Sequence, residues 1–366
     1  MINQPIDKEN DIKVDKKKLK KWQKILLIIL CVLLSFIILI SGAVLVMWNT
    51  GKTKLLEDDV KIIPTENIET EVLDDNTVSY NDHIYKYNEN ITTVLCMGID
   101  NKKFTGSDGK PIGHSGQADA IYLLVIDTKT GKTTVIALPR DSMADIELFS
   151  KNGDYIGTEN KQLCLAYAYG NGKDTSCENT ARAVSRLLCG MPVNSYFAID
   201  YRSIETLHNA IGTITVTPNE DIKISEKSIG TYNFKKGVPV NLTGKMAFPY
   251  LQTRNTTSID AAYLRMERQM DYLKKYSAAA IQKTKSDITF PVKLYKKVLD
   301  NSVTNIDASK VTYLATSVIR NSSNVSLEFA KLSGEYTQGE NNYAELKLDE
   351  NQIFDTVISI FYEEIK

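Results

Sequence analysis

The clearest hydrophobic pattern in this chain is a pair of apolar runs separated by a short polar stretch. Residues 120–126 and 133–138 are almost wholly apolar and rich in strand-forming side chains. The connection between them, residues 127–132, is polar and includes Gly131, which readily adopts the positive φ of a hairpin turn. Because apolar side chains continue on both faces, the pattern predicts an antiparallel pair of central strands rather than edge strands.

Outside the polar turn, charged residues stand only at the open end of this predicted hairpin. Asp119 lies at the start of the first strand, and Arg140 and Asp141 follow the second. Since the chain reverses once between them, these three side chains should be neighbours at one edge of the sheet. A solvated strand rim is the plain alternative for such end charges.

Helix and strand patterns alternate through the rest of the chain. Further strand patterns occur at residues 91–97, 196–199 and 214–217, and helix patterns at 177–188, 203–211, 261–284, 293–299 and 308–320, before a C-terminal amphipathic helix. Such alternation is typical of layered α/β proteins. The chain is therefore predicted to form a single three-layer α/β domain, with a central mixed sheet flanked by helices.

Residues 25–48 are apolar and contain no charge. As a helix they would span roughly 36 Å, enough to cross a bilayer, so they are predicted to form one transmembrane helix. Seven Lys lie within residues 13–24, which places the N-terminus in the cytoplasm. The predicted order is a basic cytoplasmic tail (1–24), the transmembrane helix (25–48), an acidic extracellular stalk (49–79) and the folded domain (80–366), in a single-pass protein of the cell membrane.

Charge and cysteine usage exclude several classes of protein. The chain carries a formal net charge of −1 and its basic residues concentrate before the apolar run, so the exported part is acidic and nucleic-acid binding is not expected. Five Cys form no metal-binding spacing, and a disulfide among Cys164, Cys177 and Cys189 is left open. His114 lies in the Gly-rich loop 101–116 with no second His at a useful spacing, so a catalytic triad or zinc site has no support.

Two arginines lie three residues apart in the predicted helix 261–284. Arg265, Arg268 and Gln269 project from adjacent positions on one face, and Arg254 precedes them. By default such residues are part of a solvated charged face. In a chain whose positive charge is mostly Lys, however, Arg indicates a need for a planar guanidinium fork.

Together these motifs resemble the LytR-CpsA-Psr family. The matching segments, in order, are GID at 98–100, AD at 118–119, PRD at 139–141, AYAYG at 166–170, LTG at 242–244, YLQTR at 250–254 and RMERQ at 265–269. The resemblance covers most of residues 91–275, and LSG at 332–334 before a terminal helix is similar to the family's C-terminus. It implies a membrane-anchored extracytoplasmic phosphotransferase that moves an anionic glycopolymer, such as a teichoic acid, from a polyprenyl pyrophosphate carrier to peptidoglycan.

The resemblance also implies roles for individual residues. Asp100 and Asp119 match the family's ligands for Mg²⁺ (or Mn²⁺), hard oxygen ligands suited to an ion that also contacts phosphate. Arg140 matches the arginine that grips the pyrophosphate, and Asp141 orients it or helps the metal site; Asp119, Arg140 and Asp141 are the predicted catalytic residues. Aliphatic side chains of the hairpin and of the long helix could line a cleft for the polyprenyl tail, or could be ordinary core. The further predicted pyrophosphate ligands are Arg254, Arg265, Gln269 and Lys161, with Gln162 as the alternative to Lys161.

The chain departs from the family pattern at the predicted site. Gln117 and Gln252 stand where the family usually has Arg, and each change replaces a charged donor by a neutral one. The other departures are Lys102 or Lys103 in place of an Arg after Asp100, and Ala262 in place of a helix Asp, with Asp260 as a displaced substitute.

These departures leave a second hypothesis open. A degenerate, non-catalytic homologue would bind polyprenyl lipid or wall polymer and regulate assembly of the cell envelope. A third possibility, a structural stalk or adhesin, conflicts with carboxylates and arginines placed at the ends of strands and helices.

Overall fold

The computed structural model describes residues 42–365, apart from 57–59, 61, 65–67, 69, 75, 101–115, 151, 227–228, 255–257, 288, 322–325 and 340–341. The chain divides into two compact units, residues 1–46 and 47–366. Of the first unit, only the helical residues 42–46 are described. The predicted cytoplasmic tail, most of the predicted transmembrane span, His114, Lys102 and Lys103 lie outside the described residues. Within the described part, no helix is long and apolar enough to cross a membrane.

The strands in chain order are β1 (Thr70–Asp74), β2 (Thr77–Tyr80), β3 (His83–Tyr87), β4 (Ile91–Ile99), β5 (Ala118–Asp127), β6 (Lys132–Leu138), β7 (Met143–Phe149), β8 (Tyr155–Gln162), β9 (Ser195–Asp200), β10 (Ile214–Val216), β11 (Ile222–Glu226), β12 (Gly230–Phe234), β13 (Val240–Leu242), β14 (Ser302–Thr304), β15 (Ser326–Lys331), β16 (Gly334–Gln338), β17 (Ala344–Leu348) and β18 (Tyr362–Ile365). The helices are α1 (residues 42–55), α2 (Leu165–Ala168), α3 (Asp174–Leu187), α4 (Arg202–Ile211), α5 (Gly244–Gln252), α6 (Ala261–Ser286), α7 (Phe290–Val298), α8 (Ala308–Arg320) and α9 (Glu350–Phe361), with a 3₁₀ turn at Leu299–Asn301.

A six-stranded mixed sheet in the order β14-β9-β4-β5-β6-β15 lies at the centre of the second unit. β5 pairs antiparallel with both β4 and β6, whereas β9 runs parallel to β4 and β15 runs parallel to β6. The predicted central hairpin is therefore confirmed. Gly131 has a φ of 81° in the turn, where a residue with a side chain would be strained.

Both faces of the sheet are covered, as expected for a three-layer α/β fold. On β5, Ile121 and Leu123 face the main core, which also contains residues of α3 and α9. The alternate residue Tyr122 packs instead with Met266 and Met270 of α6 on the opposite face. This alternation explains why the sequence of β5 is apolar almost throughout. Side chains on each face of the strand are buried in a separate core.

The folded region begins earlier than the sequence predicts. Val60 and Ile62, within the predicted stalk, are buried in the main core, and Ile63 donates a backbone hydrogen bond to the carbonyl of Cys189 at 2.8 Å. β1 and β2 join β3 and β18 in a four-stranded sheet. The described part of residues 49–79 is thus packed onto the domain. Of the disulfide partners left open, Cys164, Cys177 and Cys189 are all free thiols.

His208 on α4 links this helix to α6 and β13. Its Nδ1 accepts from the Tyr272 hydroxyl at 2.9 Å, and its Nε2–H donates to the Leu242 carbonyl at 3.0 Å. Burial lowers the pKa of His208 below its usual 6.5, and the hydrogen bond to Leu242 opposes this only partly. The ring is therefore held neutral, with a structural rather than a catalytic role.

His208 makes stability sensitive to mild acid. Because the unfolded chain binds a proton near pH 6.5 and the folded ring resists it, the free energy of unfolding should fall as pH drops from about 7.5 to about 5.5. Thermal unfolding of the full chain in detergent at these two pH values measures the change. His208→Gln should reduce the difference, whereas His83→Gln, at an exposed histidine, should not. If the change in stability between the two pH values were the same in both variants, this role of His208 would be contradicted.

Candidate functional site

The ends of three adjacent strands bring the predicted site residues together. Asp100 follows β4, Asp119 is the second residue of β5, and Arg140 lies two residues beyond β6. The pairing of Ile99 with Ala118 and of Ile121 with Leu138 aligns these ends at one edge of the sheet. A register shift between Gly98 and Ile99 ends the regular β4–β5 ladder just before Asp100.

Arg140 is the centre of the site. Its Nη1 forms an ion pair with Asp119 Oδ1, and its Nε donates to Asp141 Oδ1 at 3.2 Å. Nη2 donates to Gln117 Oε1 at 2.6 Å and to Cys164 Sγ at 3.1 Å. The side chain is only 12% exposed. Four partners therefore fix the plane of the guanidinium before any substrate binds, which is the pre-organisation that anion recognition needs.

Arg265 approaches the same carboxylate from α6. Its Nη1 lies 3.4 Å from Asp119 Oδ2, and its Nη2 donates to the Asp119 carbonyl at 3.3 Å. Burial, followed by repulsion from Arg140 and Arg254, lowers the pKa of Arg265 to about 10. The three guanidiniums are therefore close enough to repel one another, and a bound anion would relieve that repulsion.

Asp141 supports this cluster from the protein side. The residue is 4% exposed, and burial raises the pKa of its carboxyl group while Arg140, Arg254 and Arg265 oppose the rise. Its carbonyl accepts a hydrogen bond from Leu346 N at 2.9 Å, which ties the site to the β16–β17 hairpin. The arginines favour the charged form of Asp141, whose Oδ1 accepts the hydrogen bond from Arg140 Nε.

The remaining predicted phosphate ligands differ in their surroundings. Arg254 is exposed and lies just beyond α5. Gln269 is already engaged, since it accepts from the Tyr122 hydroxyl at 3.1 Å and donates to the Leu251 carbonyl at 3.1 Å. Gln269 therefore joins α6 to β5 and α5.

Lys161 stands apart from the arginines. It lies on β8 and pairs with Glu159 at 2.7 Å. This contact is the main reason that the pKa of Lys161 is raised. Within the described residues no ion pair or hydrogen bond connects Lys161 to Arg140, Arg254 or Arg265, so the structure does not bring this predicted ligand into the cluster.

Of the two predicted metal ligands, Asp100 is held by the backbone of Gln117. The backbone N–H of Gln117 donates to Asp100 Oδ1 at 2.7 Å, and Asp100 N donates back to the Gln117 carbonyl at 3.1 Å. In the described part of the chain, no three His, Cys, Asp or Glu side chains are grouped to hold a metal by themselves. Two carboxylates nevertheless fit Mg²⁺, which is commonly completed by waters and substrate phosphates.

Three residues near the site were not identified from the sequence in the roles that they have. Gln117, noted only as a missing Arg, accepts a hydrogen bond from Arg140. Burial raises the pKa of the Cys164 thiol to about 11, so the thiol stays neutral beside Arg140. The Tyr336 hydroxyl is buried without a hydrogen-bond partner among the described residues, and its pKa is raised by burial and then by Asp141 and Asp260. These roles depend on tertiary contacts that leave no local sequence signal.

Arg268 has a structural role, although it lies one helical turn from Arg265. It is 2% exposed, its Nη1 donates to Glu220 Oε1 at 2.6 Å, and its Nη2 donates to the Thr253 carbonyl. The guanidinium carbon also lies 5.4 Å from the centre of the Tyr250 ring. A carboxylate, a carbonyl and an aromatic face thus engage the two terminal nitrogens and the plane of the guanidinium, while Nε is buried without a hydrogen-bond partner among the described residues.

The sequence of this chain is similar to those of known proteins. The sequence model of the LytR_cpsA_psr family matches residues 51–358. The polyisoprenyl-teichoic acid–peptidoglycan teichoic acid transferase TagU of Oceanobacillus iheyensis is 24% identical over 331 residues, covering 88% of this chain and 89% of the relative. Biofilm regulatory protein A of Streptococcus mutans is 28% identical over 227 residues, covering 60% of this chain and 51% of the relative. This chain therefore spans about half the length of that relative.

Solved structures share the fold. The protein gbs0355 from Streptococcus agalactiae superposes with a TM-score of 0.58 at 25% identity, covering 74% of this chain and 86% of the other. The structure titled "TagT bound to LI-WTA" gives a TM-score of 0.51 at 21% identity, covering 74% of this chain and 90% of the other, and shows likeness of fold alone.

Proposed function

Because this chain belongs to the LytR-CpsA-Psr family, we propose that it transfers an anionic glycopolymer from a polyprenyl pyrophosphate carrier to peptidoglycan. The observation that supports this most is the convergence of Arg140, Arg254 and Arg265 at a strand edge that also carries Asp100 and Asp119. Clustered guanidiniums suit a pyrophosphate, which carries several negative charges on oxygens that accept paired N–H donors. The relatives named as teichoic acid transferases support the same class of substrate.

Arg140, Arg265 and Asp119 have different roles in the proposed phosphoryl transfer. Arg140 and Arg265 bind pyrophosphate oxygens, exchanging their contacts with Asp119 for contacts with the substrate. The acceptor hydroxyl oxygen bonds to the phosphorus that carries the glycan, the bond from that phosphorus to the bridging oxygen breaks, and polyprenyl phosphate leaves. The hydroxyl proton passes to the Asp119 carboxylate. Negative charge developing on the leaving phosphate is met by the arginines, the principal contribution of protein residues in such reactions.

Mg²⁺ or Mn²⁺ would be held by Asp100 and Asp119 and would supply further neutralisation of phosphate charge. Asp141 contributes by holding Arg140 Nε in the plane that presents the other nitrogens to the substrate. Gln269, engaged with Tyr122 and Leu251, holds α6 at the distance from which Arg265 reaches the site.

The polyprenyl tail would lie between the sheet and α6. This layer contains Tyr122, Val135 and Ala137 from the hairpin and Met266 and Met270 from the helix. Methionine side chains are flexible and can repack around a long hydrocarbon chain. The proposal places the protein at the outer face of the cell membrane, anchored by residues 25–48, with peptidoglycan as the acceptor.

Wall polymer content in cells that depend on this protein tests whether it is a catalyst. Asp119→Ala should lower the amount of glycopolymer attached to peptidoglycan to the level of cells lacking the protein, at unchanged protein abundance. Asp300→Ala, at an exposed aspartate on the 3₁₀ turn, is the matched control and should leave the content unchanged. Normal polymer content in the Asp119→Ala strain would instead support a non-catalytic binding protein.

The glutamines at positions 117 and 252 are the features that favour this second function. Each replaces an arginine usual in the family, so pyrophosphate affinity and turnover should be lower than with Arg. Gln117 nevertheless stabilises the site, because its amide oxygen accepts from Arg140 and its backbone N–H donates to Asp100.

Removing that amide oxygen should therefore slow transfer. Gln117→Met keeps the length of the side chain but leaves Arg140 Nη2 without this acceptor, which should reduce kcat/KM about tenfold. Gln252→Met, at an exposed position, should have a much smaller effect. Steady-state transfer rates at several carrier concentrations measure both. Equal effects of the two variants would show that Gln117 does not position Arg140.

A further inference from the structure

The end of the central hairpin opposite the arginines carries a separate cluster of contacts. The Tyr313 hydroxyl on α8 donates to Thr128 Oγ1 in the β5–β6 turn at 2.9 Å. Asn321 Nδ2, just beyond α8, donates to the Thr128 carbonyl at 3.3 Å. A side chain at Gly131 would overlap that of Asn321, because a Cβ there would lie 2.5 Å from Asn321 Cβ. The end of α8 is therefore fixed at the far end of the hairpin from Asp119 and Arg140.

The first residues of the second unit pack along α8. A Cβ on Gly51 would lie 2.1 Å from the Ser309 carbonyl oxygen, so only glycine allows this approach of the two helices. Lys54 Nζ and Asp307 Oδ2 form an ion pair at 2.6 Å. Residues 47–55 are thus attached to the domain by close backbone packing as well as by charge.

Trp48 stands at the centre of this attachment. Its ring centre lies 5.5 Å from that of Tyr313. Lys52 Nζ lies 5.9 Å and the guanidinium carbon of Arg320 6.0 Å from the Trp48 ring centre. Trp48 is half-buried, whereas Lys52 and Arg320 are exposed. An aromatic ring and two exposed cations are therefore presented together on one surface.

The chemistry of this surface fits lipid headgroups. Trp48 is the last residue of the apolar stretch 25–48. Tryptophan at the end of a membrane span lies at the headgroup level, where exposed Lys and Arg attract anionic lipid phosphates. Residues in this layer experience both an apolar and a charged environment, and Trp48 with its two cations matches both.

We propose that Trp48, Lys52 and Arg320 form a surface that binds the headgroups of an anionic bilayer, and that the site at Asp119 and Arg140 faces away from the membrane. From Asp119 to Asp127, β5 advances by eight residues, or about 27 Å. The hairpin thus separates the membrane surface from the site by up to that distance. This inference rests on the expected anchor at residues 25–48 and is independent of the proposed transfer reaction.

Fluorescence of Trp48 tests the headgroup surface. The chain contains two Trp, so Trp22→Phe leaves Trp48 as the single reporter in the full chain, reconstituted in nanodiscs. Brominated phosphatidylglycerol should quench Trp48 more strongly than brominated phosphatidylcholine at the same content. Lys52→Gln with Arg320→Gln should abolish the difference, whereas Lys297→Gln, an exposed lysine on α7, should preserve it. Equal quenching by the two lipids, or a difference that survives in the double variant, would overturn the proposal.

A second measurement tests the orientation of the site. Nitroxide labels at Asn49→Cys and at Gln252→Cys, both exposed positions, are introduced separately into the full chain carrying Cys31→Ser. A paramagnetic metal chelated to lipid headgroups should enhance relaxation of the label at position 49 and leave the label at position 252 nearly unaffected. Comparable or stronger enhancement at position 252 would show that the site faces the bilayer.

Discussion

Replacing Arg140 by Lys is expected to slow glycopolymer transfer by about 100-fold or more while leaving the domain folded. The guanidinium meets Asp119, Asp141, Gln117 and Cys164 at once, and a single ammonium group cannot reproduce that planar set of donors. Loss of one pre-organised donor to a developing negative charge commonly reduces kcat by about 10²–10³. Initial rates of polyprenyl phosphate release from a lipid-linked glycan measure the effect.

A matched substitution separates loss of geometry from a general effect of replacing Arg. Arg182 lies on the surface of α3, where it contacts Glu147 and Asn179. It has no role in the proposed reaction. Arg182→Lys should keep the transfer rate close to that of the unmodified chain. If Arg140→Lys also retained a near-normal rate, a positive charge alone would suffice at position 140, and the proposed role of its fork would be wrong.

Substitution of Arg265 should mainly reduce activity, whereas substitution of Arg268 should mainly reduce stability, although the two residues lie one turn apart on α6. Arg265→Met should abolish detectable transfer at modest cost to stability, because burial and two neighbouring arginines already disfavour the charge of Arg265 in the free protein. Arg268→Met should lower the free energy of unfolding by about 3 kcal/mol, since Glu220 and the Thr253 carbonyl lose a buried partner. Where the variant remains folded, it should retain most of its transfer activity.

Unfolding in denaturant and transfer kinetics on the same two variants give the comparison. The expected result is a crossed pattern, with activity lost in Arg265→Met and stability lost in Arg268→Met. Sites that must bind an anion commonly hold charges that the free protein would be more stable without. A greater loss of stability in Arg265→Met than in Arg268→Met would mean that the arginine cluster is structural.

The central part of the fold follows directly from the order of residues along the chain. Two apolar runs joined by a polar turn specify the β5–β6 hairpin, and a single chain reversal is enough to predict that Asp119 and Arg140 meet. Other elements carry no such signal. β8 is largely exposed and polar, so its pairing with β7 could not be predicted from apolar alternation. The burial of Val60 and Ile62 likewise depends on core residues from distant parts of the chain.

Local spacing could place the site residues on a common edge but could not assign their contacts. The pattern at residues 265–269 predicts that Arg265, Arg268 and Gln269 share a helix face, yet each has different neighbours: Asp119, Glu220 and Tyr122, respectively. These partners come from separate elements, and a rotation of α6 by a fraction of a turn would exchange them. For the same reason Gln117 reads as a missing charge in the sequence, whereas in the structure it is an acceptor for Arg140.

The most direct test of the central claim uses the purified full chain with a polyprenyl-pyrophosphate-linked glycan, a peptidoglycan acceptor and Mg²⁺. Separation of the lipid products should reveal polyprenyl phosphate, with glycan phosphate attached to the acceptor in equal amount. Asp119→Asn should produce neither. Tight binding of the lipid-linked glycan with no release of polyprenyl phosphate, under conditions in which a related transferase turns over, would contradict a catalytic role and identify the arginine cluster as a binding site only.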